Sequence, residues 1–235
     1  MVILFRCDTV NDGGNNMDKY SYIKGLFESC SDRDKAEAMS AYMKNKFVFY
    51  GIATPERREI YKGFLRTEKT AKLPDWVFLD KCYEDEHREF QYLVYDYLLC
   101  MKKYLSFEDT EHVRFYIVTK PWWDTTDFLC KVIGDIGLRC PGVSELMLEW
   151  SQSDDIWLRR TAILHQLGRK DKTDIGMLER IICNCLGSGE FFINKAIGWA
   201  LREYSKTDPE WVRGFIGRFE DRMDILSIRE AGKYI

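Results

Sequence analysis

The nine residues Asn194-Lys-Ala-Ile-Gly-Trp-Ala-Leu-Arg202 match in character the stretch Arg159-Arg-Thr-Ala-Ile-Leu-His-Gln-Leu167, and Ala196 falls 34 residues after Ala162. A weaker echo lies upstream in Arg88-Glu-Phe-Gln-Tyr-Leu-Val-Tyr-Asp-Tyr-Leu98. An interval of this size holds two short helices and their links. One such pair cannot bury its apolar face alone, so tandem copies stack on each other. The interval fits paired-helix repeats and is slightly short for HEAT repeats. The expected fold class is therefore all-α: a HEAT-like helical-repeat solenoid, a curved α-α superhelix whose concave face can take a long ligand.

The rest of the chain is punctuated as helices. Ser31 ahead of DRDKAEAMSAYMKNKF, Thr54-Pro55-Glu56, and Asp208-Pro209-Glu210 each set a capping side chain before an acidic or proline-bearing first turn. Alternating β-branched runs are nearly absent and only five prolines interrupt the chain, so about a dozen helices of three to four turns are expected. Residues 1 to 16 read as an irregular leader, because NDGGNN at 11 to 16 is a polar breaker and Met17 offers an alternative start. Residues 17 to 235 read as a single repeat domain.

Composition narrows the function classes. The 235 residues are 46% hydrophobic and 14% aromatic, enough to bury a sizeable core. Lys+Arg 35 against Asp+Glu 38 excludes a bulk polycation, so any nucleic-acid binding needs a local basic surface on an acidic body. Eight cysteines (Cys7, Cys30, Cys82, Cys100, Cys130, Cys140, Cys183 and Cys185) form no CxxC pair, and His87, His112 and His165 are dispersed. No zinc spacing results, and buried free thiols of a reduced cytosolic protein are expected. Neither a signal-peptide core nor an apolar run of membrane-spanning length appears in the sequence. A cytoplasmic setting follows.

Two helices carry residues on what the wheel makes their wrong side. Over 191 to 206, Ile193, Ile197, Ala200 and Tyr204 share the core face, whereas Lys195, Trp199, Arg202 and Lys206 fall together opposite it. That helix sets an indole inside a cationic stripe. Near Trp123 the inversion recurs: Phe128, Leu129, Val132, Ile133 and Ile136 form the apolar face, and Trp123 and Asp127, at i and i+4, share the other. Taken singly, each tryptophan also fits packing against a neighbouring helix, and Asp127 also fits a solvated acid or the partner of a nearby arginine. A third segment, Asp155 to Leu164, is apolar most of the way round, as for a helix buried between layers, with Arg160 among its apolar neighbours. Arg160 fits either a salt bridge, to Asp154 or Asp155, or a phosphate clamp.

Two indoles, a carboxylate and several cations, without a histidine base, a nucleophile arrangement, a P-loop or a metal set, exclude most common hydrolytic designs. They suit stabilisation of positive charge beside a phosphodiester: indole faces and a carboxylate attract a cation, while Arg and Lys hold flanking phosphates. Cleavage of an N-glycosidic bond makes that demand, since its transition state resembles an oxocarbenium ion.

At these residues the chain resembles the AlkD-type alkylpurine DNA glycosylases, DNA alkylation repair enzymes built from HEAT-like repeats. The resemblance runs from Tyr42-Met-Lys-Asn-Lys-Phe-Val-Phe-Tyr-Gly51 to Trp211. Its best passages are Trp122-Trp123-Asp124-Thr125-Thr126-Asp127, Trp157-Leu-Arg159-Arg160-Thr-Ala-Ile-Leu164 and Lys195-Ala-Ile-Gly-Trp199-Ala-Leu-Arg202. It implies Trp123, Asp127 and Trp199 as the catalytic aromatic-plus-acid set, Arg160 and Arg202 as phosphate contacts, and Tyr42 as a residue near DNA. Lys195, Lys206 and Arg159 join them as DNA-binding candidates. Asn194 stands where the family has a basic residue, and Thr126 where it has valine.

The implied function is monofunctional excision of cationic N3- or N7-alkylated purines from double-stranded DNA, leaving an abasic site for base excision repair, with no cofactor or metal and a monomeric enzyme. A non-catalytic HEAT-like DNA-binding module and a protein-interaction scaffold are the alternatives. Convergence of the candidates on one concave, positively charged surface separates these readings from the scaffold. The charge distribution permits such a surface: residues 61 to 150 carry 12 basic and 16 acidic side chains, residues 151 to 206 carry 9 and 7.

Overall fold

The computed structural model describes residues 18–235. The expected leader at 1 to 16, Cys7 and Met17 lie outside the described residues. Thirteen α-helices follow one another: α1 (Lys19–Ser29), α2 (Arg33–Tyr42), α3 (Thr54–Thr70), α4 (Trp76–Glu84), α5 (Arg88–Met101), α6 (Thr110–Val118), α7 (Trp123–Gly137), α8 (Gly142–Trp150), α9 (Ile156–Leu164), α10 (Ile175–Cys185), α11 (Phe191–Ser205), α12 (Pro209–Phe219) and α13 (Ile225–Ala231). Among the described residues there is no strand, only an isolated bridge between Val48 and His87.

Aspartate starts most of these helices. Asp18, Asp32, Asp75, Asp155, Asp174, Asp208 and Asp224 each accept a backbone N–H of the first turn through the side chain, a contribution of about 1 kcal/mol apiece. Two expected starts move by a residue. Asp32 rather than Ser31 caps α2, because the Ser31 hydroxyl donates back to the Glu28 carbonyl. Ala53 precedes α3 without a side-chain cap, Thr54 already being helical.

The repeat suggested by Ala162 and Ala196 runs from α3 to α13. Helices α3, α5, α7, α9, α11 and α13 begin at residues 54, 88, 123, 156, 191 and 225, intervals of 33 to 35 residues. Each packs against the next, and α4, α6, α8, α10 and α12 interleave as a second row behind them. Close approach along the first row makes it the inner side of a curved stack. The buried apolar residues from Ile23 to Ala231 form one connected core between the rows.

Side chains tie successive repeats to each other's backbones and thereby fix their register. Arg88 Nη1 donates to the Lys120 carbonyl and Arg160 Nη1 to the Phe192 carbonyl, at 2.8 and 2.7 Å, each one repeat onward. Ser227 Oγ donates to the Asn194 carbonyl at 2.8 Å. The start of α7 is held with particular care. Arg88, wholly buried on α5, donates through Nε and Nη2 to both Asp124 oxygens at 3.0 and 2.7 Å, and the Tyr92 hydroxyl donates to the same carboxylate at 2.6 Å. A buried pair completed in this way orients more than it stabilises: removing one partner costs about 3–5 kcal/mol, because the other charge is left uncompensated. Its effect here is to immobilise the residue next to Asp124, which is Trp123.

Candidate active site

Trp123 opens α7 and Asp127 lies one turn later on the same face. From the inner row, α9 contributes Arg160, and α11 contributes Lys195, Trp199 and Arg202 at spacings of 4 and 3. These six side chains, with Phe191 and Phe192, line one open cleft of about 360 Å³. Helix α7 is kept close to α9 by Gly134, where a Cβ would stand 2.1 Å from the His165 carbonyl oxygen.

Arg160 does not meet its expected partners. Asp155 is committed to capping α9, and the guanidinium instead grips Asp127, Nε to Oδ1 at 2.8 Å and Nη2 to Oδ2 at 2.9 Å. Its third nitrogen donates to the Phe192 carbonyl, and only 3% of the residue is exposed. Arg160 is thus the arginine partner of Asp127, and its bidentate fork fixes the plane of that carboxylate. Burial pushes the Asp127 carboxyl above its ordinary value, and the Arg160 hydrogen bonds oppose that rise.

The cationic stripe is also less free than a wheel implies. Helix α13 packs against α11 at Gly198, where a Cβ would stand 2.5 Å from Glu230 Cβ and 2.9 Å from the Ser227 carbonyl oxygen. Glu230, itself buried, takes Lys195 at 2.8 Å and Arg202 at 2.6 Å. Trp199 is half-buried rather than free-standing. Asn194 is buried and donates its amide to the Ser188 carbonyl at 2.8 Å, so the position with the non-basic residue does not face the cleft.

Three further candidates lie outside this cleft. Tyr42, 69% exposed, meets Trp123 edge to face with ring centroids 6.0 Å apart, and both line a neighbouring groove of about 410 Å³ along with Met39, Phe49, Tyr95 and Phe128. Trp123 is thus the wall between groove and cleft. Lys206 follows the last turn of α11, pairs with Glu203 at 2.6 Å and sits over the Tyr234 ring. Arg159 lies off the cleft: it is half-buried, with its Nε enclosed and unpartnered.

The sequence reading missed Phe192 and Glu230. Phe192 closes the back of the site by packing on Trp122 and Trp157, centroids 5.1 and 5.0 Å away. Extension of the 34-residue interval by one more unit from Ala196 falls on Glu230 and signals the helix that carries it.

The seven described cysteines are free thiols, and among the described residues no group of three His, Cys, Asp or Glu side chains is placed to hold a metal ion. No described helix is long and apolar enough to cross a membrane.

Six of the candidate residues therefore line one cleft. Residues 23–235 match the family described as DNA alkylation repair enzyme. The chain belongs to the DNA alkylation repair enzyme family. A solved structure described as a predicted DNA alkylation repair enzyme from Enterococcus faecalis is 34% identical to it, with a TM-score of 0.80, over 87% of this chain and 96% of that one. No curated protein matches the chain significantly. Membership of the DNA alkylation repair enzyme family supports a role in alkylation repair, with DNA as the substrate.

Proposed function

We propose that the protein is a monofunctional DNA glycosylase that removes purines made cationic by N3 or N7 alkylation from duplex DNA. The observation that carries this reading is the shared cleft, in which a carboxylate stands with two indoles and is bordered by Lys195 and Arg202. An N3- or N7-alkylated purine is already a good leaving group. When the C1′–N bond breaks, its electron pair stays with the base, which departs neutral and needs no acid to protonate it. Positive charge passes to C1′ and the sugar ring oxygen. Asp127 faces that charge, and the electron-rich faces of Trp123 and Trp199 flank the sugar. Water then forms the new C1′–O bond, and its proton passes through Asp127 to solvent. A carboxyl raised by burial suits that exchange.

Arg160 serves as a positioning residue in this scheme, holding the carboxylate so that its remaining lone pairs face the cleft. Lys195 and Arg202 take the phosphates beside the lesion, and Tyr42 meets the duplex on the far side of Trp123. Lys195 is ion-paired to Glu230, an engagement that argues against a Schiff-base role, so the product is an abasic site. We propose further that the enzyme works as a monomer in a reduced, cytosolic setting, which the free thiols support.

Incubation with duplex DNA carrying N7-methylguanine tests the reading. Free base should appear, and duplexes carrying uracil or hypoxanthine should release little, because neutral bases leave poorly without an acid. Salt-sensitive DNA binding without base release would favour the non-catalytic module instead; no salt-sensitive binding at all would favour a protein scaffold.

A further inference from the structure

The cleft's two phosphate-facing cations share one hidden anion. Glu230 on α13 is 4% exposed and lines no part of the cleft. Its Oε1 lies 2.8 Å from Lys195 Nζ, and its Oε2 lies 2.6 Å from Arg202 Nη1. Lys233, one turn further along the chain, completes the cluster at 2.9 Å. Glycine at 198 lets α13 press close enough for this reach, and the Ser227 bond to the Asn194 carbonyl fixes the height of one helix against the other. The Glu230 carboxyl is held down to about 2, chiefly by the Lys195 and Lys233 hydrogen bonds, so it is an anion at every working pH.

We propose that Glu230 is a positioning residue which braces Lys195 and Arg202 from behind, surrendering part of the cleft's positive charge in return for a fixed direction of its two phosphate-binding side chains. The inference rests on the glycosylase reading of the cleft. Arg202 spends one N–H on Glu230, which leaves the rest of its fork for the cleft side. Lys195 is otherwise a flexible four-carbon stem with a point charge at its end. An anion behind both of them converts two mobile cations into a fixed pair set around Trp199. The arrangement separates two quantities that usually move together. Net attraction for DNA depends on how many cations are uncompensated, whereas placement of the sugar against Asp127 depends on where those cations point.

The test compares wild type with Glu230→Gln, measuring affinity for undamaged duplex across salt concentrations and the single-turnover rate of N7-methylguanine release. The variant should bind undamaged duplex at least as tightly as wild type, with a salt slope steeper by about 0.9 for one additional phosphate contact. Its base release should slow by about tenfold or more. Parallel loss of affinity and rate in Glu230→Gln overturns the proposal, since it describes a helix that merely holds the fold together; so does wild-type behaviour in both. Should Glu230→Gln not fold, Glu230→Asp keeps the charge but withdraws it by one methylene: it should slow release with the wild-type salt slope, and an unchanged rate overturns the proposal. A wild type that neither binds DNA nor releases base overturns the glycosylase reading and this inference together. A wild type that does both, beside an indifferent Glu230→Gln, overturns this inference alone.

Discussion

Replacement of Arg160 by methionine probes how the cleft holds its carboxylate. Methionine fills most of the arginine's volume while removing the guanidinium, so the loss is electrostatic and hydrogen-bonding rather than a large cavity. Asp127, 16% exposed at its side chain, then keeps a charge in a site that no longer pairs it, and the Phe192 carbonyl loses its donor. Breaking a buried pair from one side costs about 3–5 kcal/mol. For a chain of this size about 1 kcal/mol moves the unfolding midpoint by about 2–4 °C, so the midpoint should fall by about 6–20 °C at neutral pH. The pH dependence has a definite sign. Burial already raises the Asp127 carboxyl, and losing Arg160 removes what opposes it. A group whose folded value lies above its unfolded value costs stability once pH rises through the interval between them. The penalty in Arg160→Met should therefore be larger at pH 8 than at pH 5, where Asp127 can escape by protonation. Thermal unfolding followed by circular dichroism at both values reads this directly, and the Asp127→Asn, Arg160→Met double variant completes the cycle. A shift under about 3 °C at pH 8, or single-variant effects that add within about 0.5 kcal/mol, refutes the account of Arg160.

Two other substitutions should move stability in opposite directions. The Thr126 hydroxyl is buried without a partner, so Thr126→Val exchanges an unsatisfied polar atom for a methyl and should be neutral or stabilising by up to about 1 kcal/mol in the same unfolding assay; clear destabilisation would mean that the hydroxyl has a partner. Gly198→Ala gains helix propensity of about 1 kcal/mol yet drives a methyl into Glu230 and the Ser227 carbonyl. It should be net destabilising by about 1–3 kcal/mol, and a stabilised variant would show that α13 yields freely.

What could be read in the sequence follows from what is local. The core faces of α7 and α11 were legible because residues 3 and 4 apart share a helix face whatever lies around them, and Ile193, Ile197, Ala200 and Tyr204 are all buried. Trp123, Asp127, Lys195, Trp199 and Arg202 were found by the same rule, as residues that the apolar stripe did not claim. Partnership across repeats was not legible. Arg160 and Asp127 are 33 residues apart, and nothing in either helix alone says that they meet rather than Arg160 and Asp155. Arg159 shows the limit of adjacency: about 100° of rotation separates it from Arg160 and takes it off the cleft. Glu230 stayed hidden because a helix wheel reports which face is polar and not whether a later helix covers it.

The central claim is that the Asp127 carboxylate, held by Arg160 in the cleft it shares with Trp123 and Trp199, drives departure of the base. It is tested most directly by the single-turnover rate of N7-methylguanine release in Asp127→Asn against wild type, with folding of both confirmed by thermal unfolding. Asparagine keeps the shape and some hydrogen bonding to Arg160 but removes the charge that meets the oxocarbenium ion, so release should fall by about 100-fold or more while undamaged duplex is still bound. A folded Asp127→Asn protein that releases the base at the wild-type rate would contradict the account.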